Sequence, residues 1–294
     1  MRWFALPVVF LVSTAPVLGQ LPAPNAAGVS SGHMHVMVRE PQAFKKIWVD
    51  TLGAQVVSSG ALELLKLPGI FLVIGQAETT EGSEGSSVDH FAFRAKDLPA
   101  TKAKLISAGV PIVRENEREI VAMFPDKVKV EFYAAPTLAV PLEHFHVHLF
   151  TTDPEGLRGW YVKHFGATVT TQGNATITNV PGMDFSFRKT DAPQSATKGR
   201  SLDHIGFEVR GLEAFCKKLE AEGVAFDAPF RDVPRLRTHP LFQVSTPYGE
   251  GRILRACSLT AAPGWRVLDQ CTPGRPRVTA TAVARVSRPP SRRP

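Results

Sequence analysis

The sequence predicts an α+β fold of four βαβββ units, paired into two tandem domains. Three observations carry this reading. The segments that start at His33 and His146 align without a gap at an offset of 113, which also brings Pro68-Gly69 onto Pro181-Gly182. Val88-Asp89-His90-Phe91-Ala92-Phe93 matches Leu202-Asp203-His204-Ile205-Gly206-Phe207 at an offset of 114. A glycine follows each of the four histidines after 20, 19, 20 and 19 residues, so one plan recurs four times along the chain.

In unit one, alternating residues after His33 predict a strand, and Glu40-Pro41 opens a helix with Phe44, Ile47 and Trp48 at helical spacing. Gly53 closes that helix, and Ala54 to Ser58 and Ile70 to Gly75 read as strands. Unit two follows with the strand at His90, a helix through Leu98 and Leu105, Gly109, and β-rich stretches at Val110 to Arg114 and Ile120 to Phe124. Unit three has the strand at His146, then Asp153 as N-cap with Pro154 at the first helical position, where its missing N–H costs nothing. Leu157, Trp160 and Tyr161 give this helix its core stripe, Gly166 stops it, and Thr168 to Thr171 and Met183 to Arg188 are β-like. Unit four repeats the plan with His204, Leu212, Leu219, Gly223, Val224 to Phe226 and Phe242 to Ser245. One unit leaves a face of its sheet bare, so units should pair. Consecutive pairing predicts one domain at 31–135 and another at 143–256, joined by a short linker ending at Pro141.

Outside these units the composition is of a different kind. Arg2, the apolar run Trp3 to Val12 and Val17-Leu18-Gly19 read as an export signal over residues 1–19, which implies a secreted or periplasmic protein. Pro7 and Pro16 interrupt the run and it falls short of the roughly 20 residues a bilayer span requires, so stable membrane insertion is not expected. The net charge is +7, but from Arg255 onward eight arginines face only Asp269, which accounts for the whole excess. The folded part is therefore neutral and no nucleic-acid partner is expected. Residues 258–294 lack lysine, glutamate and apolar periodicity, and are expected to be disordered. An out-of-frame reading from near Gly249 would account for that break in pattern. Cys216, Cys257 and Cys271 have no CxxC spacing, so neither a disulfide framework nor a zinc knuckle is implied.

Side chains alternate between the two faces of a strand. Met34, Val36 and Val38 oppose His33, His35 and Met37; Phe91 and Phe93 oppose His90 and Ala92. In the same way Phe145, Val147 and Leu149 oppose His144, His146 and His148, and Ile205 and Phe207 oppose His204 and Gly206. Each leading histidine thus lies away from the apolar set that packs under a helix. Val128, Val130 and Phe132 face the core, which puts Lys129, Glu131 and Tyr133 on the histidine side.

With these residues in view, the chain from 31 to 256 resembles the vicinal-oxygen-chelate superfamily, which includes glyoxalases, bleomycin-resistance proteins and ring-cleaving dioxygenases. The resemblance implies paired βαβββ units cupped around a divalent metal, with ligands from the first strand of each unit and a glutamate from a last strand. The family's first-strand ligand precedes the helix-opening residue by seven. Counting back from Glu40, Asp97, Asp153 and Gly211 gives His33, His90, His146 and His204. The family's Pro-Asp-Gly motif, with glutamate six after the proline, appears as Pro125-Asp126-Lys127 to Glu131. The implied metal set of the first domain is then His33, His90 and Glu131. In the second, His146 and His204 lack the glutamate, because six residues after Pro247 stands Ile253; His148 and His239 are candidate third ligands.

Two imidazoles and one carboxylate suit Fe(II) or Mn(II), with Zn(II) or Ni(II) as alternatives. The implied function is a metal-dependent enzyme acting on a small-molecule substrate with vicinal oxygens, either ring-cleaving dioxygenase-like or glyoxalase- and epimerase-like. Glyoxalase-type isomerisation in this family usually adds a carboxylate from the last strand of the first unit, and Ile70 to Ile74 contains none. His35 and Tyr133 are candidate acid–base groups. The alternative is a non-catalytic binding protein of the bleomycin-resistance type.

Overall fold

The computed structural model describes residues 21–59, 62–173, 175–231, 241–245, 252–256 and 266–267. The expected export signal, and all of the expected disordered tail except Arg266–Val267, lie outside the described residues. Four βαβββ units follow one another. Unit one is β1 (Val29–Val38), α1 (Pro41–Lys46, continued by a π-helical turn over Ile47–Thr51), β2 (Gln55–Ser59), β3 (Leu62–Leu67) and β4 (Ile70–Gln76). Unit two is β5 (Val88–Ala95), α2 (Leu98–Ser107), β6 (Ile112–Glu115), β7 (Glu119–Phe124) and β8 (Val128–Ala134). Unit three is β9 (Leu142–Thr151), α3 (Pro154–Phe165), β10 (Thr168–Gln172), β11 (Ala175–Val180) and β12 (Met183–Lys189). Unit four is β13 (Leu202–Val209), α4 (Leu212–Ala221), β14 (Phe226–Arg231), β15 (Leu241–Ser245) and β16 (Arg252–Ala256).

Local chemistry sets the helix ends. Asp153 accepts from the Gly156 N–H and Asp97 from the Ala100 N–H, each at 2.9 Å, whereas Glu40 makes no capping bond. Gly166 ends α3 at φ 63°, a conformation that costs glycine little. Before β8, Asp126 and Lys127 both adopt positive φ, 55° and 56°. Lys127 thus stands left-handed at the position where the sequence comparison expects glycine. Asp126 is tied there by the Arg39 backbone N–H (3.1 Å) and the Arg39 side chain (2.6 Å).

The pairing of units differs from the consecutive pairing expected. One sheet runs β10-β11-β12-β9-β5-β8-β7-β6 and so joins units two and three. The other runs β14-β15-β16-β13-β1-β4-β3-β2 and joins units one and four. Blocks 31–135 and 143–256 therefore each contribute half of both sheets. Connection length is the physical reason. After β8 the chain needs only residues 135–141 to turn back beside β5, pinned by Ala135 N–H to Ala95 carbonyl (2.8 Å) and Lys96 N–H to Pro141 carbonyl (3.0 Å). A short link of this kind carries the chain past the end of β5 and sets β9 antiparallel to β5 in the same sheet. The longer connections 77–87 and 190–201 cross between sheets and run side by side. Thr80 and Ser201 N–H groups donate to the Gly199 and Glu81 carbonyls, and the Arg200 guanidinium donates to the Gly82 carbonyl at 2.9 Å.

Arg266–Val267, inside the segment expected to be disordered, pairs antiparallel with β2 at Ser58 and Val57. β2 is otherwise an edge strand, and its unpaired backbone groups are a template for any extended segment.

The apolar faces of both sheets and the helices share one continuous core. Trp48 of unit one is fully buried, with its ring 4.9 Å from Phe124, 5.5 Å from Phe93 and 6.1 Å from Phe91, all of unit two. Tyr161, its counterpart in unit three, stacks on Phe185 at 4.5 Å and reaches Phe207 of unit four at 6.4 Å. Trp48 thus binds units that belong to different sheets. Trp48→Ala is expected to lower stability by about 3–5 kcal/mol. Because Trp48 Nε1 has no hydrogen-bond partner, Trp48→Phe gives up only part of the ring volume and should cost less than Trp48→Ala. Denaturant unfolding of both variants checks this ordering.

Candidate metal centre

The polar faces of the two sheets each carry a histidine cluster, and β-bulges aim the side chains. In the sheet of units two and three, β5 and β9 pair antiparallel with His90 opposite His148 and Phe91 opposite Val147. The register then slips, because Phe145 and His146 together oppose Ala92, and Phe93 faces His144. An extra residue reverses the alternation beyond it. His144 is therefore on the apolar side, 5.7 Å from Phe93, with Nδ1 hydrogen-bonded to the Gly182 carbonyl at 3.0 Å. Burial lowers its pKa to about 4. Phe145, expected in the core, instead lies beside Tyr133 (5.6 Å) and His146 (4.5 Å).

A second bulge lies between Val88 and His90. It brings Asp89 to the same side as its neighbour, so that Asp89 Oδ1 and His90 Nδ1 form a close hydrogen bond. Lys129 Nζ holds the same carboxylate oxygen at 2.6 Å. Although burial opposes it, the His90 and Lys129 bonds lower the Asp89 pKa to about 2. A proton held on Nδ1 leaves His90 Nε2 as the free lone pair.

That lone pair faces Glu131. His90 Nε2 lies 3.2 Å, His146 Nε2 3.5 Å and His148 Nε2 3.9 Å from one atom, Glu131 Oε2. All four side chains are buried, and their donor atoms lie within 4.8 Å of one another. His90 Nε2 and His146 Nε2 have no aligned hydrogen bond. Buried polar atoms are nearly always satisfied, so two unpaired imidazole nitrogens around one carboxylate oxygen fit a cation as their common partner. The second Glu131 oxygen, Oε1, accepts from Arg114 at 2.8 Å, and Tyr133 donates to Oε2 at 3.0 Å.

Charges follow this geometry. Burial disfavours the Glu131 carboxylate, but His146 and His90 hold its pKa well below the usual range. His90 is raised despite burial, through Asp89 and Glu131. Burial, then the neighbouring His90 and His146, lower His148 to about 2, so its imidazole is neutral. Burial, with Glu131 and Glu119, pushes the Tyr133 phenol far up and keeps it protonated.

His33, expected beside His90 and Glu131, lies instead on the sheet of units one and four. There His33 Nε2 is 3.2 Å from His204 Nε2, the His35 ring is 4.6 Å from that of His204, and Asp203 binds His204 Nδ1. The bulges recur at Gly32–His33 and at Asp203. Gly206 is required at this spot, because a Cβ would fall 2.0 Å from the His33 ring. His35, Asp203 and His204 form a second group of potential donors within 4.8 Å.

Registers show what separates the clusters. Glu131 stands opposite Ala92. The equivalent positions are Val73 opposite His35, Ser186 opposite His148, and Arg255 opposite Gly206. Of the four, only Glu131 is a carboxylate. Arg255, rather than Ile253, is thus the counterpart of Glu131 in unit four. The structure therefore brings together His90, Glu131, His146 and the candidate third ligand His148, separates His33, His35 and His204 from them, and adds Asp89 and Arg114; His239 lies outside the described residues. The pairing of units hid this grouping from the sequence, where the one available signal was the short 135–141 connection.

Comparison with known proteins agrees with this architecture. Residues 144–249 match the model of the Glyoxalase/Bleomycin resistance protein/Dioxygenase superfamily, a stretch that spans units three and four and hence both sheets. Glyoxalase I from Zea mays superposes with a TM-score of 0.61 at 15% identity, over 79% of this chain and 93% of that one. A protein of Bacillus subtilis described as a putative dioxygenase superposes with a TM-score of 0.58 at 14% identity, over 80% and 86%. No curated protein sequence matches the chain significantly. The chain carries a domain of the Glyoxalase/Bleomycin resistance protein/Dioxygenase superfamily within a fold of the vicinal-oxygen-chelate type.

Proposed function

We propose that the chain is a metal-dependent enzyme acting on a small substrate with vicinal oxygens, and that His90, His146 and Glu131 hold the metal. The observation that carries this reading is the convergence of two unbonded, buried Nε2 atoms on one Glu131 oxygen. Export to a secreted or periplasmic location belongs to the same proposal. The donor set favours Fe(II) or Mn(II), with Zn(II) or Ni(II) as alternatives, and such an ion supplies Lewis acidity to two adjacent substrate oxygens.

The chain's own residues do the rest. Asp89 fixes the tautomer of His90, and Arg114 occupies Glu131 Oε1 so that Oε2 is presented to the centre. Tyr133, held protonated, is a hydrogen-bond donor and not a base. His148, neutral and beside the cluster, stands where the sequence had offered His35 as an acid–base group; with its pKa lowered to about 2 it can accept a hydrogen bond from a substrate hydroxyl but is a poor base. Ser186 stands where a fourth carboxylate would serve isomerisation, and Asp184, opposite His146, is bonded to Asn179 at 2.6 Å. That absence favours ring-cleaving dioxygenase-like chemistry over a glyoxalase- or epimerase-like reaction. The competing reading, a metal-free binding protein of the bleomycin-resistance type, leaves both imidazoles only a poorly aligned contact with Glu131.

Metal analysis after anaerobic purification tests the assignment, with iron expected for oxidation chemistry and zinc or nickel for isomerisation. Chelator-stripped protein should gain roughly 2.7 kcal/mol of stability at a hundredfold excess of metal over Kd, read as a rise in Tm. Glu131→Gln and His146→Gln should lose that gain, whereas His33→Gln should keep it. A gain that survives in Glu131→Gln overturns the ligand set.

Metal affinity should also fall on acidification. His90 is raised above its ordinary value by Asp89 and Glu131, against the effect of burial, so the second proton that competes with the metal for Nε2 is held to a higher pH than on a free imidazole. Affinity is then fully developed only above that raised pKa and falls by about tenfold per pH unit below it for one displaced proton. Calorimetric titration with Zn(II) across neutrality measures the slope. A flat profile excludes His90 as a ligand.

A further inference from the structure

A cavity of about 460 Å³ opens beside the candidate centre, walled by Tyr133, Phe145, His146, His148, Ser186 and Arg188. On β12 the two-residue period places Asp184, Ser186 and Arg188 on one face, opposite His146, His148 and Phe150. Arg188 is therefore one step along the strand from the position facing His148, about 7 Å between Cα atoms. Its charge is felt at His148, whose pKa it helps to lower.

Charge in this cavity is unbalanced. Of its cations, Arg158 is engaged by Glu155 and bonds Thr178 at 3.3 Å. Of its acids, Asp184 accepts from Asn179 and Glu155 is taken by Arg158. Among the described residues no carboxylate pairs with Arg188, which is exposed at the cavity mouth with Lys189 next to it. Tyr133 and Phe145, in edge-to-face contact, supply an aromatic wall, and Arg94 backs the Phe145 ring at 3.9 Å. A guanidinium in a half-enclosed site is the natural partner of a carboxylate, phosphonate or similar oxyanion.

We infer that the substrate is an organic anion: a compact, flat molecule whose acid group is received by Arg188 while its vicinal oxygens face the His90–His146–Glu131 cluster. This deepens the proposed function and rests on it for the placing of the oxygens, although the Arg188 contact does not need a metal. The fork of Arg188 decides between a charged molecule and its neutral analogue, since a charge-assisted bond is one that the neutral analogue cannot make.

The test uses the full chain in two forms. In Zn(II)-loaded protein, calorimetry compares 3,4-dihydroxybenzoate with catechol. In chelator-stripped protein, NMR titration with benzoate reads the anion contact alone. Expected are a preference for 3,4-dihydroxybenzoate of about tenfold or more, its loss in Arg188→Gln, substantial recovery in Arg188→Lys, and unchanged catechol affinity throughout. Benzoate should bind stripped wild-type protein and fail to bind Arg188→Gln. Equal affinity for the two diols in the wild type, or a preference and benzoate binding that persist in Arg188→Gln, overturn the inference. If zinc is not held but benzoate binding depends on Arg188, the metal reading falls and the anion site stands.

Discussion

Antiparallel strands with an extra residue on each partner do something that regular strands cannot: they bring sequence neighbours onto the same side. At the β5–β9 seam, one extra residue turns Asp89 beside His90, and another turns Phe145 beside His146. The first supplies the hydrogen bond that fixes the His90 tautomer, and the second sets an aromatic wall at the cavity. Without these slips His144 would have shared the cluster face, and Asp89 would have pointed into the apolar core, where an unpaired carboxylate is costly. The seam exists because a short connection folds unit three directly back onto unit two.

The burial of so much polar chemistry needs explanation in energetic terms. His90, His146, His148 and Glu131 are all buried together. Glu131 is compensated by Arg114, Tyr133 and the imidazoles, and Asp89 by His90 and Lys129. Within this cluster, the atoms left without an aligned hydrogen bond are His90 Nε2 and His146 Nε2. Both converge on the same Glu131 oxygen, as a cation site requires.

The two sheets share their architecture and differ in chemistry. Both have the same bulges and the same Asp–His pair, at Asp89–His90 and Asp203–His204. Only the sheet of units two and three has a carboxylate at the last-strand position, while the other has Val73 and Arg255 there. Duplication gives two scaffolds, and side-chain identity at a single register separates a complete donor set from a partial one.

By itself the sequence determined the four units, their helix starts and stops, the apolar faces and the identity of Glu131 as a last-strand acid, because these depend on local periodicity and capping. Through its resemblance to the vicinal-oxygen-chelate superfamily, whose first-strand ligand precedes the helix by seven residues, it also marked His90 and His146 as candidates. Tertiary structure alone decided which units share a sheet, and therefore that His90 meets His146 and His148 while His33 meets His204. It also decided the bulges, since an extra residue becomes visible only against the partner strand that it slips past. Strand pairing is a contest between distant edges settled by connection length and shared core packing, and repeated units of similar sequence offer several pairings that local pattern cannot rank.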